Sequence, residues 1–129
     1  MKLLKKILIP ALLLATLFSA CKKDDNDNAP GKTSHKVVFK AVGSTGVDLN
    51  VVVYGYDTQL TSNSGLSGNT WTSPEINVPA SAINAGITID GIGTSNTSTL
   101  KVQIYVDGQL KKEGTSSGPV LAATAQYNF

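Results

Sequence analysis

The chain has 129 residues, with 11 lysines, no arginine, 9 acidic residues and one histidine, and its formal net charge is +2. Three of the lysines lie in the first 20 residues, so a chain cleaved after Ala20 would carry eight lysines against nine acidic residues, a formal net charge of −1. Because the chain cleaved in this way has no basic patch and no arginine, the residue that most often reads phosphates and guanines, nucleic-acid binding is not expected.

Residues 1–20 have the pattern of a secretion signal. Three lysines form a basic start, and residues 7–18 are an apolar run of 12 that contains Pro10. A helix needs about 20 apolar residues to cross a bilayer core. The pattern therefore favours a cleaved signal peptide over a membrane-spanning helix.

Cys21, the only cysteine, directly follows the small residues Ser19 and Ala20. This arrangement resembles the lipobox of bacterial lipoproteins, with Phe18 at the position where leucine is usual. The resemblance implies that fatty acyl chains such as palmitate are attached to Cys21, and more than one such chain gives stable membrane anchoring. The alternatives are an uncleaved signal anchor or a secreted protein with a free thiol.

Residues 21–34 are predicted to be the acylated cysteine and a disordered tether. Residues 22–28 are charged and polar with no apolar residue, and Pro30 and Gly31 follow them. The Lys-Asp-Asp sequence after Cys21 resembles the export signal of surface lipoproteins in Bacteroidetes-type bacteria. That resemblance implies anchoring in the outer membrane, with the domain at the cell surface.

Residues 35–129 are predicted to form one all-β domain of about seven strands. The alternation is clearest in residues 99–107, where Leu100, Val102, Ile104 and Val106 share one face. The following Asp107-Gly108 pair predicts a type I′ hairpin turn, because both central residues of that turn need a positive φ. Strands are predicted at 36–42, 47–56, 75–79, 86–93, 99–107, 109–114 and 120–129, separated by turn-rich segments that include residues 61–70.

This density of short strands and turns favours an immunoglobulin-like antiparallel β-sandwich. A small closed barrel is the alternative. Within residues 47–56, alternation places Val47, Leu49, Val51 and Val53 on the buried face, so the tyrosines of this strand are predicted to lie on the other face.

The segment from Val102 to Gly108 resembles the MmpS family of small mycobacterial membrane proteins. The resemblance also includes Glu113, residues 117–119 and the stretch from Trp71 to Pro79. The similarity covers residues 36–129. It implies an immunoglobulin-like sandwich on a membrane anchor, acting as an accessory partner of exporters of lipids and siderophores. The family has a cysteine where Val102 stands here, and it is held by a transmembrane helix.

Catalytic, metal and cofactor sites are not predicted. His35 is the only histidine, and the domain has no cysteine with which it could share a metal ion. The acidic residues are scattered, and no nucleophile and base stand at a catalytic spacing. The chain is therefore predicted not to be an enzyme.

Aromatic side chains are the remaining candidates for contact with a ligand or partner. Trp71 ends a loop rich in glycine and serine, Tyr54 and Tyr56 alternate on the predicted outer face of their strand, and Tyr105 lies opposite the apolar face of residues 99–107. Exposed rings often bind sugars or protein partners, although Trp71 as a core plug and the tyrosines as cross-strand pairs are alternatives. The sequence thus predicts a lipid-anchored, non-catalytic binding module for a protein or glycan; an accessory of an exporter or of envelope assembly is the alternative.

Overall fold

The computed structural model describes residues 33–129, in which nine strands form two antiparallel sheets. The strands are β1 (His35–Gly43), β2 (Asp48–Tyr56), β3 (Gln59–Ser64), β4 (Thr70–Thr72), β5 (Ile76–Val78), β6 (Asn84–Ile92), β7 (Thr99–Val106), β8 (Gln109–Ser117) and β9 (Val120–Asn128). Sheet A has the order β4-β1-β7-β8, with β5 also pairing with β1, and sheet B has the order β3-β2-β6-β9. The predicted all-β class and two-sheet sandwich are confirmed, while the immunoglobulin-type topology stays a prediction.

The core lies between the two sheets and is built by alternate residues of the long strands. Phe39 of β1 is completely buried, and the four apolar residues predicted to share a face of β7 are all buried. Each such side chain contributes about 1.5–3 kcal/mol when it is fully removed from water. The remaining fully buried large residues are Leu49, Ile89, Leu121, Val37, Val52 and Val78.

The hairpin between β7 and β8 has the predicted turn. Asp107 has a φ of 51° and Gly108 a φ of 79°, as the central residues of a type I′ turn require. The Asp107 N–H donates to the carbonyl oxygen of Lys36 at 2.8 Å. The turn therefore also holds the start of β1.

Residues 33–129 form nine strands where about seven were predicted, because β3 and β4 form in segments that were predicted to be mainly turns. All six residues of β3 are exposed, so burial imposes no hydrophobic alternation on this segment. Its strand conformation comes from pairing with β2, from Val51 opposite Ser64 to Tyr56 opposite Gln59. In addition, β8 continues to Ser117 instead of ending at residue 114.

The predicted faces of β2 are wrong beyond Leu49. The pairing of β2 with β6 shifts register between Leu49 and Val51, and an extra residue at a bulge exchanges the two faces of the following strand. Val52 and Tyr54 consequently point into the core, while Val53 is only half-buried.

One side of the sandwich is closed by β8 and β9, which belong to different sheets. They are joined by the short turn Gly118-Pro119. Gly114 of β8 lies so close to β9 that a Cβ there would overlap the carbonyl oxygen of Thr124. The N–H of Ala122 also donates to Ser116 Oγ at 3.1 Å. Each of these two edge strands therefore shields the other.

Candidate functional site

Tyr54, predicted to be an exposed contact residue, is a core residue with 5% of its surface exposed. Its ring packs against Phe39, with 5.4 Å between the ring centroids. The bulge in β2 is the cause, since it turns Tyr54 to the inner face. Tyr54 is thus a structural residue, and the prediction of its exposure is wrong.

Trp71 lies on β4, at the edge of sheet A, where it pairs with Ala41. It is half-buried, and its ring meets that of Tyr54 with 5.0 Å between the centroids and an interplanar angle of 56°. Tyr56 is also half-buried and packs against the same core. Trp71 therefore covers the edge of the core beside Tyr54. This position agrees with the alternative interpretation, in which Trp71 is a core plug.

Tyr105 lies on the outer face of sheet A, away from the Tyr54–Trp71 pair. The Nζ of Lys40 stands 4.7 Å from the centroid of its ring. The Tyr105 hydroxyl donates to Gln103 Oε1 at 3.5 Å, and Gln103 Nε2 donates to Glu113 Oε1 at 2.8 Å. Because the buried, edge and outer-face aromatics lie in different places, the four predicted residues do not form one patch.

A shallow groove lies on the outer face of sheet B, and we call it the sheet B groove. Its floor forms where Gly55 of β2 lies directly opposite Gly86 of β6. Two adjacent positions without side chains leave a depression in an otherwise continuous sheet surface. The groove is shallow and has a volume of about 250 Å³. It is lined by Val53, Gly55, Asp57, Leu60, Asn84, Gly86, Ile87, Thr88, Thr124, Ala125 and Gln126.

Glycine occupies the two floor positions of the groove for different structural reasons. Gly55 has a φ of +154°, and a Cβ there would overlap the carbonyl oxygen of Gln59. Its backbone therefore requires glycine. A Cβ on Gly86 would meet only the carbonyl oxygen of Ala125, at an ordinary 3.6 Å. Packing therefore does not require glycine at position 86. Glycine inside a strand costs about 0.5–1 kcal/mol of stability relative to alanine. The main effect of Gly86 is that it leaves the groove floor open.

The lining of the sheet B groove combines apolar surface with neutral polar groups. Leu60 is 60% exposed at its rim, and the hydroxyls of Thr88 and Thr124 lie 3.0 Å apart and hydrogen-bond to each other. Gln126 adds an amide. Hydroxyl and amide groups beside apolar surface suit the hydroxyl and C–H faces of a sugar, or the backbone and side chains of a peptide.

Of the described residues that line this groove, Asp57 alone has an ionisable side chain. Its Oδ1 accepts the N–H groups of Ile83 and Asn84 at 2.9 and 3.0 Å, so the carboxylate holds the start of β6. General acid–base catalysis of bond cleavage commonly uses two titratable groups in one site. Among residues 33–129, the lining of the groove does not supply such a pair.

A second cluster surrounds His35 at the end of the sandwich where the chain enters β1. His35 Nδ1 lies 2.7 Å from Asp107 Oδ2, and the imidazole stacks on Phe129 with centroids 5.0 Å apart. The Asp107 Oδ1 accepts the N–H of Lys36 at 2.9 Å. The hydrogen bond from His35 and then that of the Lys36 N–H lower the pKa of Asp107 below its ordinary value of 3.8. This cluster fastens the first strand to the β7–β8 turn and to Phe129.

Sequence reasoning missed the sheet B groove. Isolated glycines inside strand patterns, at 55 and 86, were a usable signal, since such glycines often mark a close approach or a bulge. Their alignment across two strands 31 positions apart depends on the register of β2 with β6.

Within residues 33–129, no three histidine, cysteine, aspartate or glutamate side chains lie together at metal-binding distances. The same range contains no helix long and apolar enough to cross a membrane. The predicted signal peptide, the acylated Cys21 and nearly all of the predicted tether lie outside the described residues. No protein-family model matches the chain, and no curated protein is significantly similar to it.

Proposed function

We propose that the chain is a lipoprotein anchored in the cell envelope, at the outer membrane and on the cell surface, whose sandwich is a non-catalytic binding module. The sheet B groove is the observation that carries the binding role. The lipobox pattern at Cys21 carries the anchoring. The ligand class is an extended glycan or protein chain.

The size of the groove supports an extended ligand. Sites for small molecules usually enclose about 300–1,000 Å³, and this groove is smaller, at about 250 Å³, and open. It suits one or two units of a polymer that lies along the sheet, rather than an enclosed metabolite. Leu60 and Val53 offer apolar contact, while the hydroxyls and the amide offer hydrogen bonds.

The alternative role, as an exporter accessory related to MmpS, calls for an apolar groove large enough for an acyl chain. The sheet B groove instead has Thr88, Thr124, Gln126 and Asp57 in its lining. This mixed lining favours the binding module, and a large transporter encoded next to the gene would favour the exporter role.

The groove is tested by filling it. Gly86→Val adds a side chain at the floor, whereas Ala122→Val adds similar volume on the same outer face, outside the groove. The two variants and the wild type are compared for retention of envelope polysaccharides and glycans on an array, and of extended peptides. We expect the Gly86→Val protein to lose retention at least several-fold and the Ala122→Val protein to keep it. Equal retention by all three would place the site elsewhere, and no retention by the wild type would reject the binding module.

The anchoring is tested separately by growing cells with labelled palmitate. The wild type should incorporate the label and a Cys21→Ser variant should not. Protease added to intact cells should digest the domain if it is displayed on the surface. An unlabelled wild-type protein that retains Met1 would refute the lipid anchor, and digestion only after lysis would refute surface display.

A further inference from the structure

Three of the four sheet edges in residues 33–129 are protected against pairing with another strand. The edge strand β8 carries Lys111, Lys112 and Glu113, and it lies beside β9, which is thereby covered as well. At the other edge of sheet A, β4 and β5 have three residues each and are separated by a segment that contains Pro74. Charges, short strands and proline are the common means by which proteins prevent edge-to-edge association.

The fourth edge, β3, has none of these features. It is six residues long and pairs with β2 at six consecutive positions without a register shift. Its sequence, Gln-Leu-Thr-Ser-Asn-Ser, contains no charge and no proline, and every residue is exposed. In the described part of the chain β3 pairs only with β2, so the backbone groups on its other side are available to a further strand.

We propose that β3 pairs antiparallel with β3 of a second copy of this chain, which joins two copies of sheet B into one eight-stranded sheet. This proposal goes beyond the binding function and does not depend on the identity of the ligand. A two-fold axis perpendicular to the sheet generates this arrangement and keeps the outer faces of both copies on the same side.

The composition of β3 favours a second copy over a foreign peptide. When two copies of β3 pair, each side chain lies opposite or diagonal to side chains of the identical strand. A charged residue on β3 would therefore come close to the like charge of the other copy and be repelled. β3 has only neutral side chains, and its serine, threonine and asparagine can hydrogen-bond across the new pair. A foreign strand gains its specificity from pockets for alternate side chains, and the outer face of β3 offers only Leu60 as an exposed large apolar contact.

The symmetry predicts which residues meet. Residues directly opposite one another must lie on the same face, so one residue near the middle of β3, Thr61 or Ser62, faces its own copy. Leu60 also borders the sheet B groove, so pairing would place two grooves side by side on one continuous surface. A six-residue edge spans only about 20 Å, so the paired edges bury less surface than most stable interfaces do. Association is therefore expected at the high local density that the proposed envelope anchoring provides, and in this respect it rests on the proposed function.

The test is disulfide crosslinking of the full chain in the cells that produce it. Thr61→Cys and Ser62→Cys place a thiol near the two-fold axis, and Thr115→Cys places one on the exposed surface of β8 as a matched control. Wild type, with Cys21 as its only cysteine, controls for crosslinking through that residue. After mild oxidation we expect a covalent homodimer from one of the β3 variants, several-fold above both controls.

A dimer fraction from both β3 variants that is no greater than in the Thr115→Cys control would overturn the proposal, as would a crosslinked product with a different protein. A charge on β3 supplies a second test. A lysine is therefore added beside the thiol of whichever β3 variant crosslinks, as Ser62→Lys in the Thr61→Cys chain or Thr61→Lys in the Ser62→Cys chain. This lysine should lower crosslinking several-fold, while the thermal unfolding midpoint stays the same because both residues are exposed. Thr115→Lys in the same background should change neither quantity, and unchanged crosslinking with the lysine on β3 would refute pairing through β3.

Discussion

The two glycines at the floor of the sheet B groove should respond in opposite directions to the same substitution. Gly55 and Gly86 are directly opposed in the β2–β6 register. Replacing either one by alanine reduces the conformational entropy of the unfolded chain, which stabilises a protein by about 0.4–1 kcal/mol when the native backbone accepts the new residue. The native backbone accepts it at only one of the two positions.

At Gly86 the new Cβ has an ordinary contact, with the Ala125 carbonyl oxygen 3.6 Å away. We therefore expect Gly86→Ala to raise the free energy of unfolding by about 0.5–1 kcal/mol. For a domain of this size, that change corresponds to an increase of about 2–8 °C in the thermal midpoint.

At Gly55 the φ of +154° strongly disfavours any side chain, at a cost of about 1–3 kcal/mol. The new Cβ would also overlap the Gln59 carbonyl oxygen and lie 3.0 Å from the Leu60 Cα, both backbone atoms that cannot move independently. Gly55→Ala should thus lower the free energy of unfolding by at least about 1–3 kcal/mol and disturb the β2–β3 hairpin.

Urea and thermal unfolding of both variants, followed by the fluorescence of Trp71, would measure the two effects. Both variants carry the same change in side chain, so the difference between their free energies of unfolding isolates the effect of the backbone position. If Gly55→Ala were as stable as the wild type, or if both variants were destabilised equally, the reasoning from φ and local space would be refuted.

Two further predictions concern hydrogen bonds that join distant segments. Ser73 is buried, and its Oγ accepts the N–H of Phe39 at 2.9 Å. Ser73→Ala leaves this buried donor without a partner and should lower the free energy of unfolding by about 1–3 kcal/mol. An unchanged urea midpoint would show that this hydrogen bond adds no stability. Asp107→Asn keeps an acceptor for Lys36 but removes the charge that faces His35. Because the pKa of Asp107 is lowered in the folded protein, its ionised form stabilises the fold above the ordinary value of 3.8, and this stabilisation is lost as the pH falls through the lowered pKa. The wild type should therefore be more stable than Asp107→Asn at pH 6, with the difference shrinking as the pH falls below 3.8. A difference in unfolding curves that stays constant over this range would contradict the assignment.

Strands whose two faces have different environments were predictable. In β7, alternate residues are buried and the others are half-buried or exposed, so the periodicity in the sequence reports burial directly. In β3, all residues are exposed, and the segment has the composition of a loop. Burial cannot select a hydrophobic pattern where no face is buried, and this is why β3 was not predicted.

The candidate site was less predictable than the fold. Tyr54 was expected to be exposed because alternation was extrapolated through Val51, and one extra residue at the bulge reversed that inference. The sheet B groove depends on two glycines from different strands. Each has a local signal, but their juxtaposition is a consequence of strand register.

The sequence by itself determined the β class, the alternation of β1 and β7, and the Asp107-Gly108 turn, because these features follow from the chemistry of neighbouring residues. Only the tertiary structure decided the inner face of β2, the existence of edge strand β3 and the pairing of Gly55 with Gly86. Those features depend on which distant strands share hydrogen bonds and on the register that buries both of their apolar faces together. Such a register is a property of the whole core, so it emerges only when both sheets are packed.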